Sequence, residues 1–146
     1  MRENLFRGKR LDNGEWVYGA CGNHTHLDAM IIDRPYLTQD NDLAALGFWA
    51  VDPSTVGRYT GLTDRNDVKI FEGDIVKFKH GGEFDKRGVY FRNYAVEFVN
   101  TFVTYGLRLR NRGIHFQFKQ ATSTMHDVEV IGNIHDNPEL LEGDAP

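Results

Sequence analysis

The residues best equipped for chemistry sit in one short run, His24-Thr25-His26-Leu27-Asp28. On an extended strand, alternation places His24, His26 and Asp28 on one face, where two imidazoles and a carboxylate would make a three-ligand zinc set. The adjacent Gly22 and Asn23 argue instead for a solvated polar loop, and no fourth ligand is identifiable. No metal site is assigned. The one cysteine, Cys21, has no CxxC partner and reads as a packed or half-exposed thiol. His80, His115, His126 and His135 are scattered among strand residues, none beside a nucleophile. Glu72-Gly73-Asp74 brings two carboxylates close, but glycine between them reads as a corner at a strand entry. Gly57, Gly61 and Gly73 lack the spacing of a phosphate loop or a dinucleotide fingerprint. The chain is therefore read as no enzyme, with no catalytic residue, no cofactor and no small-molecule substrate.

Phosphate chemistry is the remaining candidate. Net charge is −4, but its distribution is uneven. Residues 77–119 hold nine Lys/Arg against Glu83, Asp85 and Glu97, whereas residues 120–146 hold six acids and no Lys or Arg. A basic face for nucleic acid would use Lys77, Lys79, Arg108, Arg110, Arg112 and Lys119 for phosphates and an aromatic such as Tyr105 for stacking. The arginines at 108, 110 and 112 would share one strand face, about 6.5–7 Å apart at a rise of roughly 3.3 Å per residue. The same asymmetry equally fits two segments packing side by side, or the acidic end of one subunit meeting a neighbour's basic strands. Because the chain is acidic as a whole, the structural reading is preferred.

The elements that must carry these residues are strands. Val76 and Phe78 alternate with Lys77 and Lys79; Leu107 and Leu109 alternate with Arg108 and Arg110. Ile114, Phe116 and Phe118 alternate with His115, Gln117 and Lys119, and Val128 and Val130 with Asp127 and Glu129. A period of two, repeated this often, predicts antiparallel sheets with one wet face. Fifteen glycines and eighteen aromatics (ten Phe, six Tyr, two Trp) suit pleated strands with tight corners. Asn13-Gly14 predicts a two-residue hairpin turn near the N-terminus. Asp64-Arg65-Asn66-Asp67 predicts a second turn, and His80-Gly81-Gly82 the end of a strand that starts at Asp74. Helical signals are few: one or two turns over Asp40 to Leu46 before Gly47, and a short helix over 137–142 opened by Asn137-Pro138-Glu139. Gly143 to Pro146 read as a fraying end.

Size and composition exclude several classes. At 146 residues the chain has the length of one domain and buries enough surface to need no staple. No run of 18 apolar residues predicts a membrane-spanning helix. The opening Met1-Arg2-Glu3-Asn4-Leu5 lacks the apolar stretch of a secretory signal, and a lone cysteine suits a reducing compartment. A cytoplasmic location is expected.

Three stretches resemble the YopX family of phage and prophage proteins. The first is Phe6-Arg7-Gly8-Lys9-Arg10 with Gly14-Glu15-Trp16-Val17-Tyr18-Gly19. The second runs from Val51-Asp52-Pro53 through Thr55-Val56-Gly57-Arg58-Tyr59-Thr60-Gly61-Leu62 to Ile70-Phe71-Glu72-Gly73-Asp74-Ile75-Val76. The third is Glu129-Val130-Ile131-Gly132-Asn133-Ile134-His135-Asp136-Asn137-Pro138-Glu139-Leu140. The resemblance implies a mainly β fold of short antiparallel strands, an SH3-like barrel in the C-terminal part and assembly into a homo-oligomer. It implies no biochemical activity. Residues 1–146 are then expected to form one YopX-like domain: a hairpin region over about 1–50, the barrel part over about 51–136, and the short helix at 137–142. Within the motifs, Trp16, Tyr18, Tyr59 and Ile75 are expected in a core. The segment 22–50 lies outside them, so loop or partner contacts there are expected to be particular to this protein.

Overall fold

Alternating runs bury one face only when they lie side by side, and this requirement shapes the computed structural model. It describes residues 5–24, 27–37, 39–40, 43–82, 85–99, 104–108, 114–117 and 126–144. The fold is mainly β, with antiparallel strands and two short 3-10 segments among those residues. It comprises two compact units divided between Tyr59 and Thr60.

In the first unit, β1 (Phe6–Lys9), β2 (Trp16–His24), β3 (Leu27–Leu37) and β4 (Leu43–Ala50) lie in the order β4-β3-β2-β1. The β1–β2 hairpin runs from Phe6↔Gly19 to Lys9↔Trp16. Its turn differs from the expected two-residue form. Arg10 N–H donates to the Glu15 carbonyl at 2.9 Å, closing a four-residue loop in which Gly14 takes φ 72°. The Asn13 side chain is spent on the Glu15 N–H, so Asn-Gly ends a wider loop rather than forming the turn itself. Gly19 is required by crowding, since a Cβ there would lie 2.1 Å from the Ile32 carbonyl oxygen. The helical turns expected over Asp40 to Leu46 are absent from 43–46, which belong to β4. Continuous pairing with β3, from Leu37↔Leu43 to Met30↔Ala50, satisfies that backbone in a ladder and overrides the local helix signal. Past β4, Asp52 caps a 3-10 turn (Pro53–Thr55), accepting from Ser54 N. The core gathers Ala29, Ile31 and Val51 against Phe6, Val17, Trp49 and Val56. Tyr18, expected inside, is exposed, while Trp16 is half-buried with Arg7 4.7 Å above its ring.

A fifth strand, β5 (Gly57–Thr63), pairs by its first residues with β1 and continues beside β6 (Lys69–Phe71) in the second unit. There a five-stranded sheet has the order β10-β9-β8-β7-β11, built from β7 (Asp74–Gly81), β8 (Val89–Val99), β9 (Thr104–Arg108), β10 (Ile114–Gln117) and β11 (Val128–Asn133). Among the described residues this ladder is open, with β10 and β11 at its two ends. Leu62, Ile70, Val76, Tyr94, Val96 and Val128 form the core, with Phe78 and Val130 packed against it. Alternation therefore assigned the faces of β7 and β11 correctly: Lys79 is exposed where Val76 is fully buried. Gly73 makes the corner between β6 and β7 at φ 90°, a value that disfavours any side chain. The C-terminal 3-10 helix (Pro138–Asp144) runs two residues past the expected end, and its Leu140 carbonyl accepts from Asn93 Nδ2 at 2.8 Å.

The turn at 64–67 is where the second unit is tied together. Asp64 is fully buried. Its Oδ1 accepts the N–H groups of Asn66 and Val68, and its Oδ2 accepts that of Val130 on β11 at 2.9 Å. Asp64→Ala leaves three partly buried backbone donors without this acceptor and is expected to cost about 1–3 kcal/mol in all, since water can reach the donors of the exposed turn residues Asn66 and Val68. Asp64→Asn keeps one acceptor oxygen and should cost less, while Lys79→Ala should stay within about 0.5 kcal/mol. Urea midpoints of the three variants check this ranking.

Candidate functional site

Within the basic block, Lys77, Lys79, Lys86, Arg87 and Arg92 lie on the β7–β8 hairpin. Pairing runs from Ile75↔Ala95 to Gly81↔Val89, so directly opposed residues share a face. The face away from the core carries Lys77 opposite Asn93, and Lys79 opposite Phe91. Phe91 is 48% exposed, and the Lys77 ammonium stands 4.9 Å from its ring centroid. This is a cation–aromatic platform next to a second lysine, an arrangement that can hold an anionic, planar group. On β11, Glu129 lies directly opposite Lys77, which brings a carboxylate of the acidic C-terminal stretch beside the basic strand of the same chain.

The opposite face of the hairpin holds a tighter aromatic group. His80 Nε2 is 2.7 Å from the Tyr94 hydroxyl, and its ring stacks on Tyr90 with centroids 5.1 Å apart. Phe78 lies 4.8 Å from His80, and the Arg87 and Arg92 guanidinium groups sit 4.3 and 5.8 Å from the Tyr90 ring. Tyr94 is almost fully buried, so the histidine–tyrosine contact locks the hairpin onto the core and offers no open reaction centre. At the β7–β8 turn, Asp85 accepts from the Arg87 backbone N–H at 2.8 Å and faces its guanidinium at 3.3 Å. These contacts, the backbone bond foremost, hold the Asp85 carboxyl below the usual carboxylate range.

Of the residues singled out for phosphate binding, Lys77 and Lys79 share this platform. Arg108 ends β9, in register with Ala95 of β8 and Ile114 of β10, so its backbone lies two strands from Lys77. Arg110, Arg112 and Lys119 lie outside the described residues, and with them the expected three-arginine face. Tyr105 pairs with Phe98 in β9. Phe91, Arg87 and Arg92 were not singled out from sequence. Period two gave no signal for them, since it would group Val89 and Phe91 on an inner face, whereas both are exposed. The run His24 to Asp28 is not one strand face. His24 closes β2 and pairs with Leu27 of β3, so Asp28 lies on the neighbouring strand, and His26 lies outside the described residues. Cys21 is exposed in β2, opposite Ile31. Among the described residues, no three His, Cys, Asp or Glu gather as metal ligands, and no helix is long and apolar enough to cross a membrane. The Glu72-Gly73-Asp74 pair is a corner, with Asp74 Oδ2 accepting the Phe71 N–H at 2.7 Å.

The sequence model of the YopX protein family matches residues 5–142, nearly the whole chain. The chain belongs to the YopX family. The crystal structure of protein EF1440 from Enterococcus faecalis is similar in fold to this YopX chain, with a TM-score of 0.60 and 19% identity. The match covers 97% of this chain and 99% of that one. No curated protein has a similar sequence.

Asp85 provides a pH test of the hairpin. Because its folded-state pKa is depressed, the stabilisation is present above the unfolded value and is lost as pH falls through the folded one. NMR titration should place its midpoint below the ordinary value of about 3.9. Arg87→Gln should raise that midpoint only partway, because the backbone N–H bond remains.

Proposed function

We propose that this chain is a non-enzymatic, prophage-type accessory protein of the bacterial cytoplasm that works by assembling into a closed homo-oligomer. The observation that carries this reading is the pair of open strand edges. The outer edge of β10 meets no further strand among the described residues, and that of β4 meets none before Ala50, where the continuation of β1 pairs with it through Leu11 and the Arg10↔Val51 bridge. Unpaired edges invite pairing with another chain. Leu11 and Phe48 add exposed apolar surface in the first unit, and Val89 and Phe91 in the second. Closed, symmetric homo-oligomers are the commonest way for soluble chains to cover such edges. The family resemblance points the same way, and on it we read residues 1–146 as one YopX-like domain whose C-terminal part is an SH3-like barrel. Light scattering on a sizing column at micromolar concentration should give a mass several times 16.7 kDa. A monomer mass would overturn the reading.

A second reading, nucleic-acid binding, is favoured by Phe91 standing exposed between Lys77 and Lys79. A single strand could stack a base on the ring and lay phosphates along the lysines, with Arg108, Arg110, Arg112 and Lys119 extending the track. Against it stands Glu129, which competes for Lys77 within the chain. Binding of this kind loses about 0.7 log units of affinity per log of salt for each phosphate contacted. Filter binding of a labelled single-stranded oligonucleotide across a salt series should show no complex tighter than about 10⁻⁴ M at physiological salt, the weak limit of non-specific binding. A tighter, salt-sensitive complex that Phe91→Ala abolishes would make this the better reading.

A further inference from the structure

We propose that the β3–β4 ribbon is the arm by which one copy of this chain grips a second, the outer edge of β4 pairing antiparallel with the same edge of the other copy about a two-fold axis. This rests on the assembly reading above and names its surface. The pairing of β2 with β3 stops at Ala20↔Ile32, whereas β3 and β4 stay paired through Asp33↔Gly47, Pro35↔Ala45 and Tyr36↔Ala44 to Leu37↔Leu43. Five further positions on each strand are therefore paired with each other and not with β2, a two-stranded stretch about 16 Å long at roughly 3.3 Å per residue. Such ribbons are marginal in water by themselves. This one has a further deficit, because Pro35 brings no N–H to its pairing with Ala45.

The two edges of the ribbon differ. Natural edge strands are protected by charge, proline, a bulge or shortness. Along β3 this stretch carries Asp33, Arg34 and Pro35. Along β4 the sequence is Leu43-Ala44-Ala45-Leu46-Gly47-Phe48-Trp49-Ala50: eight residues with no charge and no proline, in unbroken register with β3. Phe48 is 54% exposed. Among the described residues the outer edge first finds a partner at Ala50, whose carbonyl accepts from Leu11 N–H at 3.1 Å. The occupant that suits this edge is its own copy. A strand without charges meets itself without repulsion, and a two-fold axis satisfies both edges in one interface. Antiparallel pairing also sends the two copies of Asp40, just before β4, to opposite ends of the paired strands. They are then separated by about eight residues' rise, some 27 Å, well beyond the Debye length of about 8 Å. A parallel pairing would stack those acids side by side.

The test uses the full chain. Ala44→Lys and Leu46→Lys place an edge charge on β4, with circular dichroism to verify folding and light scattering to read mass. In parallel, Ala44→Cys, Leu46→Cys and Phe48→Cys are each made in a Cys21→Ser background and oxidised. We expect wild type to be oligomeric, the lysine variants to lose mass by at least about twofold while folded, as a broken isologous interface requires, and at least one cysteine variant to form a disulfide dimer. A wild-type oligomer whose mass both folded lysine variants preserve, with no cross-link at any position, overturns the arm and leaves assembly standing. A wild-type monomer overturns both. If the lysine variants fail to fold, the cross-links decide alone.

Discussion

The second unit depends on where one buried carboxylate finds its donors. Asp64 is fully buried, yet it lies in the turn of the β5–β6 hairpin, where an acid would ordinarily face water. Burial is tolerable because its oxygens accept three backbone N–H groups: two close the turn it belongs to, and one comes from Val130, more than sixty residues away. The Arg65 N–H donates to the Val128 carbonyl at 2.9 Å alongside, so the hairpin turn caps β11 with both donor and acceptor. The same contact seats Leu62 and Ile70 over Val76, Val96 and Val128. It also supplies bonding partners to an end strand that would otherwise lie open, which separates β11 from β4 and β10.

Charge follows the same economy. The sequence divides into a basic block and an acidic C-terminal stretch, and the fold brings part of each together, with β11 beside β7 and Glu129 opposite Lys77. That cross-strand placement weakens the argument for a phosphate track, because it sets a negative charge beside the lysine within the same chain. What stays open on the hairpin is one aromatic ring between two lysines. On the core side, His80, Tyr90 and Tyr94 meet one another and fasten the hairpin to the core.

Much of this was legible in the residues, because alternation is a local consequence of the pleat. The faces of β7 and β11, the turn at 64–67, the corner at Gly73 and the Asp52-Pro53 turn all follow from side-chain period and turn chemistry. The family motifs pointed correctly to a YopX chain. Three local readings were superseded by partners distant in sequence. A helix-like run became β4 because β3 offered it a ladder. Tyr18 lies outside despite its motif. His24 and Asp28, two ends of one polar run, were divided between two strands by a hairpin.

The sequence by itself determined which residues alternate, where the chain must turn and which family it belongs to, since period, φ preference and motif are properties of neighbours along the chain. Only the tertiary structure decided which strand pairs with which, and therefore that Asp64 would find Val130, that Glu129 would oppose Lys77, and that β3 and β4 would stay paired beyond the last β2–β3 pair. Those outcomes depend on the register between segments tens of residues apart. Register is set by the summed burial and hydrogen bonding of whole strands, which no single stretch of sequence contains.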